Sequence, residues 1–318
     1  MISRRRLLHG ALAAAAASAC PISRRAPAAE GRSARKMTID LVCGAIGVKA
    51  NQVEAIDLAH RHGFESVAPD PGFLGTLDDG QLADLAAEMK QKQVVFGAAG
   101  LPVDFRGDET TFRTGLEALP RASAALERAG VTRVGTWLRP SHSELTYLAN
   151  FKQHAQRLRE IAKVLADHGQ RFGLEYVGPK TSWSASRHPF VHCMAETKEL
   201  IAAIEMDNVG FVLDSWHWYT AGEGEADLLT LTNRDVVACD LNDAPAGIPI
   251  DEQIDSRREL PAATGVIDVA TFLRALVKIG YDGPVRAEPF NAALRALSGE
   301  EAVAATATAM RRAFATLD

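Results

Sequence analysis

Residues 264–290 read TGVIDVATFLRALVKIGYDGPVRAEPF. Apolar residues recur at helical spacing from Ala270 to Ile279. The run stops at Gly280, the residue type that most easily takes the left-handed turn closing a helix. After a turn at Tyr281–Gly283 comes a short apolar run, Val285–Pro289, which reads as a strand and carries Glu288 at its end. An acid at a strand end is costly to bury unless something pairs with it. Three upstream segments repeat the pattern: FGLEYVGP with Glu175, VGFVLDSWHW with Asp214 and His217, and VVACDLNDAP with Asp240, Asn242 and Asp243. Helix-length stretches separate the four. Their acids are therefore expected to converge on one centre, and a divalent metal is the simplest centre that stabilises several carboxylates together.

Outward from these segments the same alternation continues. Strands are expected at Ile39–Gly44, Glu65–Pro69, Val94–Ala99, Arg133–Leu138, Phe172–Val177, Gly210–Asp214, Val236–Leu241 and Val285–Pro289. Helices are expected at Asn51–His62, Leu77–Gln93, Pro120–Ala129, Glu144–His168, Met194–Ile204, Leu228–Leu231, Ala270–Ile279 and Gly299–Phe314. Eight strands each followed by a helix, in about 280 residues, is the α/β signature of a (β/α)8 TIM barrel. A doubly wound open sheet would carry a Gly-rich phosphate turn after its first strand. The turn here, CGAIGVKAN (residues 43–51), lacks that spacing. In a barrel, active residues collect at the C-terminal ends of the strands, so Glu175, Asp214, Asp240 and Glu288 become neighbours around half of one rim.

Composition is that of an ordinary globular protein: 318 residues, 47% hydrophobic and 24% charged. The whole chain carries −5 and residues 1–36 carry +7 (seven Arg and one Lys against Glu30), which leaves −12 on the body. A body so acidic argues against nucleic acid as a partner. Residues 1–36 read as a targeting segment and linker, and 37–318 as the barrel. Ser3, Arg4, Arg5, Arg6, Leu7 and Leu8 resemble a twin-arginine signal, and an Ala-rich run to Ala19 is too short to span a membrane. Export to the periplasm or cell exterior is the expectation. The alternatives are lipidation at Cys20 and a cytoplasmic protein that begins at Met37. No other stretch is long and apolar enough for membrane insertion. Cys43 and Cys239 read as small core hydrophobes, since no C-x-x-C spacing is present.

These residues together resemble the xylose isomerase-like barrel superfamily of sugar isomerases and epimerases. The tail is the most specific part: a G-x-I-D, an apolar helix, a G-Y-D-G turn and a strand ending in Glu. The resemblance covers essentially all of 37–318. The ketose 3-epimerase branch uses Glu, Asp, His and Glu on four successive strands to hold manganese or a similar ion, and its first and last Glu exchange the substrate proton. By motif, the resemblance makes Glu175 and Glu288 catalytic, with Glu175, Asp214, Asp240 and Glu288 as metal ligands. Asp240 departs from the pattern, standing where relatives commonly carry the His of H-x-x-D. A carboxylate there still suits a hard cation, Mn or Mg rather than Zn. His217 resembles the D-x-x-H substrate contact, and Arg258, in R-E-L-P, the R-x-x-P arginine. The resemblance also implies a homo-oligomer, since such barrels are often dimers or tetramers.

For an isomerase, a base must take a proton from a carbon next to a carbonyl, and the enediolate then needs positive charge nearby. Trp216 is a candidate sugar-stacking surface beside His217. Trp137 and Trp183 are expected to line the same pocket. The long polar loop Gly178–His192 brings His188, with Lys180, Arg187 and His192, to face the acidic centre. The substrate is expected to be a small carbohydrate. Two other readings remain open: a lyase or hydrolase of oxidised (3-keto) glycosides, which begins with the same enolisation, and a non-catalytic sugar-binding barrel.

Overall fold

The computed structural model describes residues 35–317. The twin-arginine pattern, the Ala-rich run and Cys20 lie outside the described residues. Among the described residues eleven strands occur in chain order: β1 (Thr38–Leu41), β2 (Ser66–Val67), β3 (Val95–Phe96), β4 (Ala99–Gly100), β5 (Arg133–Trp137), β6 (Ser141–His142), β7 (Arg171–Glu175), β8 (His188–Pro189), β9 (Val209–Asp214), β10 (Val236–Leu241) and β11 (Pro284–Ala287). Nine form one sheet in the order β3-β2-β1-β11-β10-β9-β7-β5-β4, every pairing parallel. β3 and β4 are the two ends of one segment, interrupted at Gly97 and Ala98. β3 pairs with β2 and β4 with β5, so this segment closes the curled sheet into a TIM barrel. The expected strand Val94–Ala99 is this shared stave. A Cβ at Gly97 would stand 2.5 Å from Asp40 Oδ1, so a side chain there would collide with the buried acid on β1.

Alternation along the strands separates two apolar layers. Phe211, Leu213, Cys239, Leu241, Val285 and Ala287 point outward and join the large core under the helices. Val212, Ala238 and Ala98 point inward and form a small cluster of their own. Glycines face that cluster: a Cβ at Gly173 would stand 2.8 Å from Val212 Cγ2. Small residues in this layer leave the space above it open, and the inward positions at the strand ends are charged.

Most expected helices form with shifted ends, such as Gln52–His62, Tyr147–Asp167 and Val269–Lys278, and Met194–Ile204 and Gly299–Phe314 form as expected. The expected helix at Leu228–Leu231 instead forms at Glu225–Leu228. The helix expected to start at Pro120 instead runs from Glu109 to Arg128, capped by the Asp108 side chain on the Thr111 amide. Pro120 is exposed, so it stands on the solvent-facing side of the helix. No helix among the described residues is long and apolar enough to cross a membrane.

Candidate active site

Parallel register builds the charged layer. Asp214 on β9 pairs with Asp240 on β10, Asp240 with Arg286 on β11, and Arg286 with Asp40 on β1. Register partners in a sheet project to the same face, so one arginine lies in a row with three acids inside the barrel. Arg286 donates from Nε and Nη2 to both oxygens of Asp240, with Nη2 at 2.8 Å, and its Nη2 stands 3.8 Å from Glu288 Oε1. Arg286 is therefore chiefly the partner of Asp240. Burial works against the Arg286 charge, but Asp240 and Glu288 together hold its pKa above the ordinary value.

Above this layer the four rim acids meet. Glu175, Asp214, Asp240 and Glu288 each offer an oxygen within 4.8 Å of the others. Glu175, Asp214 and His217 form a second such group. Asp214 is the most completely bonded: it accepts from the Trp216 amide at 2.8 Å, from Asn242 Nδ2 at 3.0 Å and from Arg258 Nη1 at 2.8 Å. Arg258 Nη1 also reaches Glu288 Oε2 at 3.4 Å, while its Nη2 donates to Asp255 Oδ1 at 2.7 Å. Glu175 Oε1 is buried and has no hydrogen-bond partner among the described residues. An orphaned carboxylate oxygen facing three other acids fits a divalent cation, because each bonded oxygen keeps a second lone pair for it. The geometry does not select the metal.

Electrostatics follow from burial and crowding. Burial, then Asp240 and Glu288, push the Glu175 carboxyl well above the usual range. Burial raises Glu288 to about 7, opposed by Arg286 and helped by Asp240. Asp214 is raised by burial against the opposing pull of Arg258. Burial lowers His217 to about 3, and Arg258 adds to that shift, so the ring is neutral. Both ring nitrogens face donors: the Gly178 amide stands 3.2 Å from Nδ1 and Arg258 Nη2 stands 3.2 Å from Nε2, which is also 3.9 Å from Glu175 Oε1.

The site opens into a cavity of about 620 Å³ whose walls include Glu175, Glu288, His217, Arg258 and Trp137. Its floor includes the small residues Ala98, Gly135, Val212 and Ala238. Trp216 does not line the cavity. It is buried in the core, 5.6 Å below the Arg258 guanidinium. His188 is also outside the lining, on β8, which pairs antiparallel with β6 opposite His142. Trp183 stacks on His192 at 4.9 Å instead of facing the acids. The loop after β7 is tied to the long insert after β10 by Lys180–Asp251 at 2.6 Å and by Thr181 donating to the Gln253 carbonyl at 2.6 Å.

Sequence reasoning passed over Asp40, Asp255, Arg106 and Arg139. Asp40 carries the signal used for the others, an acid within an apolar strand, but in mid-strand. Arg106 and Arg139 lie in loops that no periodicity marks. Asp243 turns out to be a clasp: Oδ1 accepts from the Ala244 and Ile267 amides, and Oδ2 from Thr264 and Gly265, at 2.8–2.9 Å.

A profile of the family described as Xylose isomerase-like TIM barrel matches residues 56–313. An inosose isomerase of Bacillus velezensis is 24% identical over 80% of this chain and 89% of its own length. A 3-dehydroshikimate dehydratase of Pseudomonas aeruginosa is 28% identical over 45% of this chain and 21% of its own. Among solved structures, a xylose isomerase domain protein from Alicyclobacillus acidocaldarius superposes with a TM-score of 0.77, at 32% identity over 88% of this chain and 99% of that one. An IolI protein with bound zinc superposes with a TM-score of 0.72, at 22% identity over 89% and 99%.

Proposed function

Because the chain belongs to the Xylose isomerase-like TIM barrel family, we propose that it is a sugar isomerase or epimerase that moves a proton next to a carbonyl through an enediolate. The observation that carries this reading is the pairing of Glu175 and Glu288, two carboxyls of raised pKa on the wall of one cavity. A carboxyl near 7 is poised to act as a base at neutral pH, so Glu288 takes the proton from the substrate carbon. Glu175, its carboxyl also raised by burial and the neighbouring acids, carries a proton to return, to the opposite face in an epimerase or to the neighbouring carbon in an isomerase. His217, a neutral ring on the cavity wall beside Glu175, contacts a substrate oxygen. Arg258 holds Asp214 and Glu288 in register. Glu175, Asp214, Asp240 and Glu288 are the residues that would hold a divalent ion, Mn or Mg, which would supply positive charge for the enediolate. The zinc bound by the IolI protein supports a divalent ion in this chain without selecting which one.

The dehydratase relative favours a second outcome of the same first step, loss of a group from the β-carbon. One experiment tests both. Proton NMR in D2O with ketoses, inososes and 3-keto-glycosides is expected to reveal deuterium entering next to the carbonyl of one substrate. An epimerised or isomerised product supports the first reading, and an eliminated one the second. Glu288→Gln is expected to slow exchange by about a hundredfold or more with the fold intact. Exchange at the parent rate would remove Glu288 from the role of base. For residues 1–36 we propose twin-arginine export. Cell fractionation with N-terminal sequencing checks it, and a mature chain found only in the cytosol, starting at Met37, would overturn it.

A further inference from the structure

The cavity has two electrically unlike halves. The acids come from β7, β9, β10 and the end of β11. The opposite wall, which follows β4 and β5, carries Arg106 and Arg139. We propose that these two arginines form a recognition site for a carboxylate on the substrate, so that the substrate is an acidic keto-sugar or keto-polyol rather than a neutral one. This inference rests on the reading of the acid cluster as the reacting end.

Arg106 is built as a receptor is built. Its side chain is 14% exposed, and the guanidinium is clamped between the Trp137 ring at 4.4 Å and the Phe105 ring at 4.5 Å. Nη1 donates to Thr136 Oγ1 at 3.1 Å and to the Trp137 carbonyl at 2.6 Å, which fixes the plane of the fork. The other edge, Nε and Nη2, makes no hydrogen bond among the described residues. Its nearest acid is Asp104, 3.7 Å from Nε. A neighbouring structural arginine shows the contrast: Arg157 is similarly buried, but it reaches two carbonyls and the Glu109 carboxylate at 2.8 Å. A largely buried cation held flat, with one donor edge unused and a cavity in front of it, matches the two oxygens of a carboxylate. Arg139 lines the same mouth and is exposed, and no hydrogen bond or ion pair engages it among the described residues. Burial, with Arg139 close by, already lowers the pKa of Arg106, although Asp104 opposes the shift; the negative charge of an incoming anion offsets the cost of the buried cation and the like-charge repulsion. The exposed Trp137 ring adds a flat face for the body of the ligand.

Calorimetric titration with matched, unreactive ligands tests this: methyl β-D-glucuronide against methyl β-D-glucoside, with the 6-phosphate of the glucoside as a third arm. The glucuronide is expected to bind about tenfold tighter or more at low ionic strength, and salt should shrink the preference. Arg106→Gln and Arg139→Gln are each expected to reduce the acid-over-neutral ratio. Arg139 is exposed, so its variant decides the matter should Arg106→Gln fail to fold. Equal affinity for the pair, no binding of the glucuronide, or an intact ratio in Arg139→Gln overturns the proposal. Tighter binding of the phosphate than of the glucuronide overturns the choice of carboxylate. Binding needs no proton transfer, so the two readings fail separately. A preference for the acid without deuterium exchange on any keto compound would sink the proposed reaction alone. Exchange on neutral ketoses with no gain from a carboxylate would sink this inference alone.

Discussion

Asp40 lies beneath the rim acids, in register with Arg286 and against Gly97, and its Oδ1 makes no hydrogen bond among the described residues. Burial pushes its carboxyl up to about 6, a shift that the Ser66 hydroxyl and Arg286 only partly offset. The folded pKa stands above the unfolded one, so the protonated form favours folding. Below the unfolded value near 4 there is no penalty. As the pH rises through about 6 the penalty builds, reaching on the order of 3 kcal/mol above it. Asp40→Asn is therefore expected to melt higher than the parent at pH 7.5 and to lose that advantage at pH 4. Thermal melts at the two pH values check this, and a lower melting temperature at pH 7.5 would contradict it. Asp240 is the residue whose chemistry depends most on its neighbour. Its negative charge is matched by Arg286, so the pair adds no net charge to the rim.

At the scale of elements, the insert after β10 is the most consequential segment. It delivers Arg258 to Asp214 and Glu288, and it does so because Asp243 gathers four backbone amides from Ala244 to Ile267. An asparagine there would turn an NH2 group towards backbone donors. Asp243→Asn is expected to cost about 2–4 kcal/mol, read as a lower midpoint in urea, and to lower deuterium exchange because Arg258 loses its support. An unchanged midpoint would mean that the clasp does not hold the insert. In sequence Asp243 is indistinguishable from the site acids, since DLND offers two carboxylates three residues apart. Backbone direction assigns them: Asp240 is inside the strand and faces the barrel, while Asp243 is past its end and turns to the loop. The helix at Glu109–Arg128 departs from its expected start for a comparable reason. Proline often starts a helix, but on a solvent-facing turn it is tolerated within one.

Across the whole molecule, the interior charges do not balance. At the acid cluster the carboxylates outnumber the guanidiniums of Arg258 and Arg286, and His217 is neutral. A ligand that binds the folded chain at this cluster raises its stability by mass action, about 2.7 kcal/mol at a hundredfold excess over Kd. Manganese or magnesium is therefore expected to raise the melting temperature by about 5 °C or more, with reversal by a chelator and no shift in Asp214→Asn. A melting temperature that ignores every divalent ion would reject the metal reading.

The barrel and the four rim acids follow from the order of amino acids alone, because both are written locally. Strand and helix periods appear in short windows, and a charge at the end of an apolar run announces its own cost. What each charge meets is instead settled in three dimensions. Arg286 joins Asp240 because β10 and β11 run in parallel register, and Trp216 enters the core because the turn after Asp214 winds it inward beneath Arg258. The opposition of Arg106 and Arg139 to the acids arises only when the segment at Gly97 closes the sheet. Such pairings join residues far apart in the chain, and sheet closure, which no local window carries, sets them.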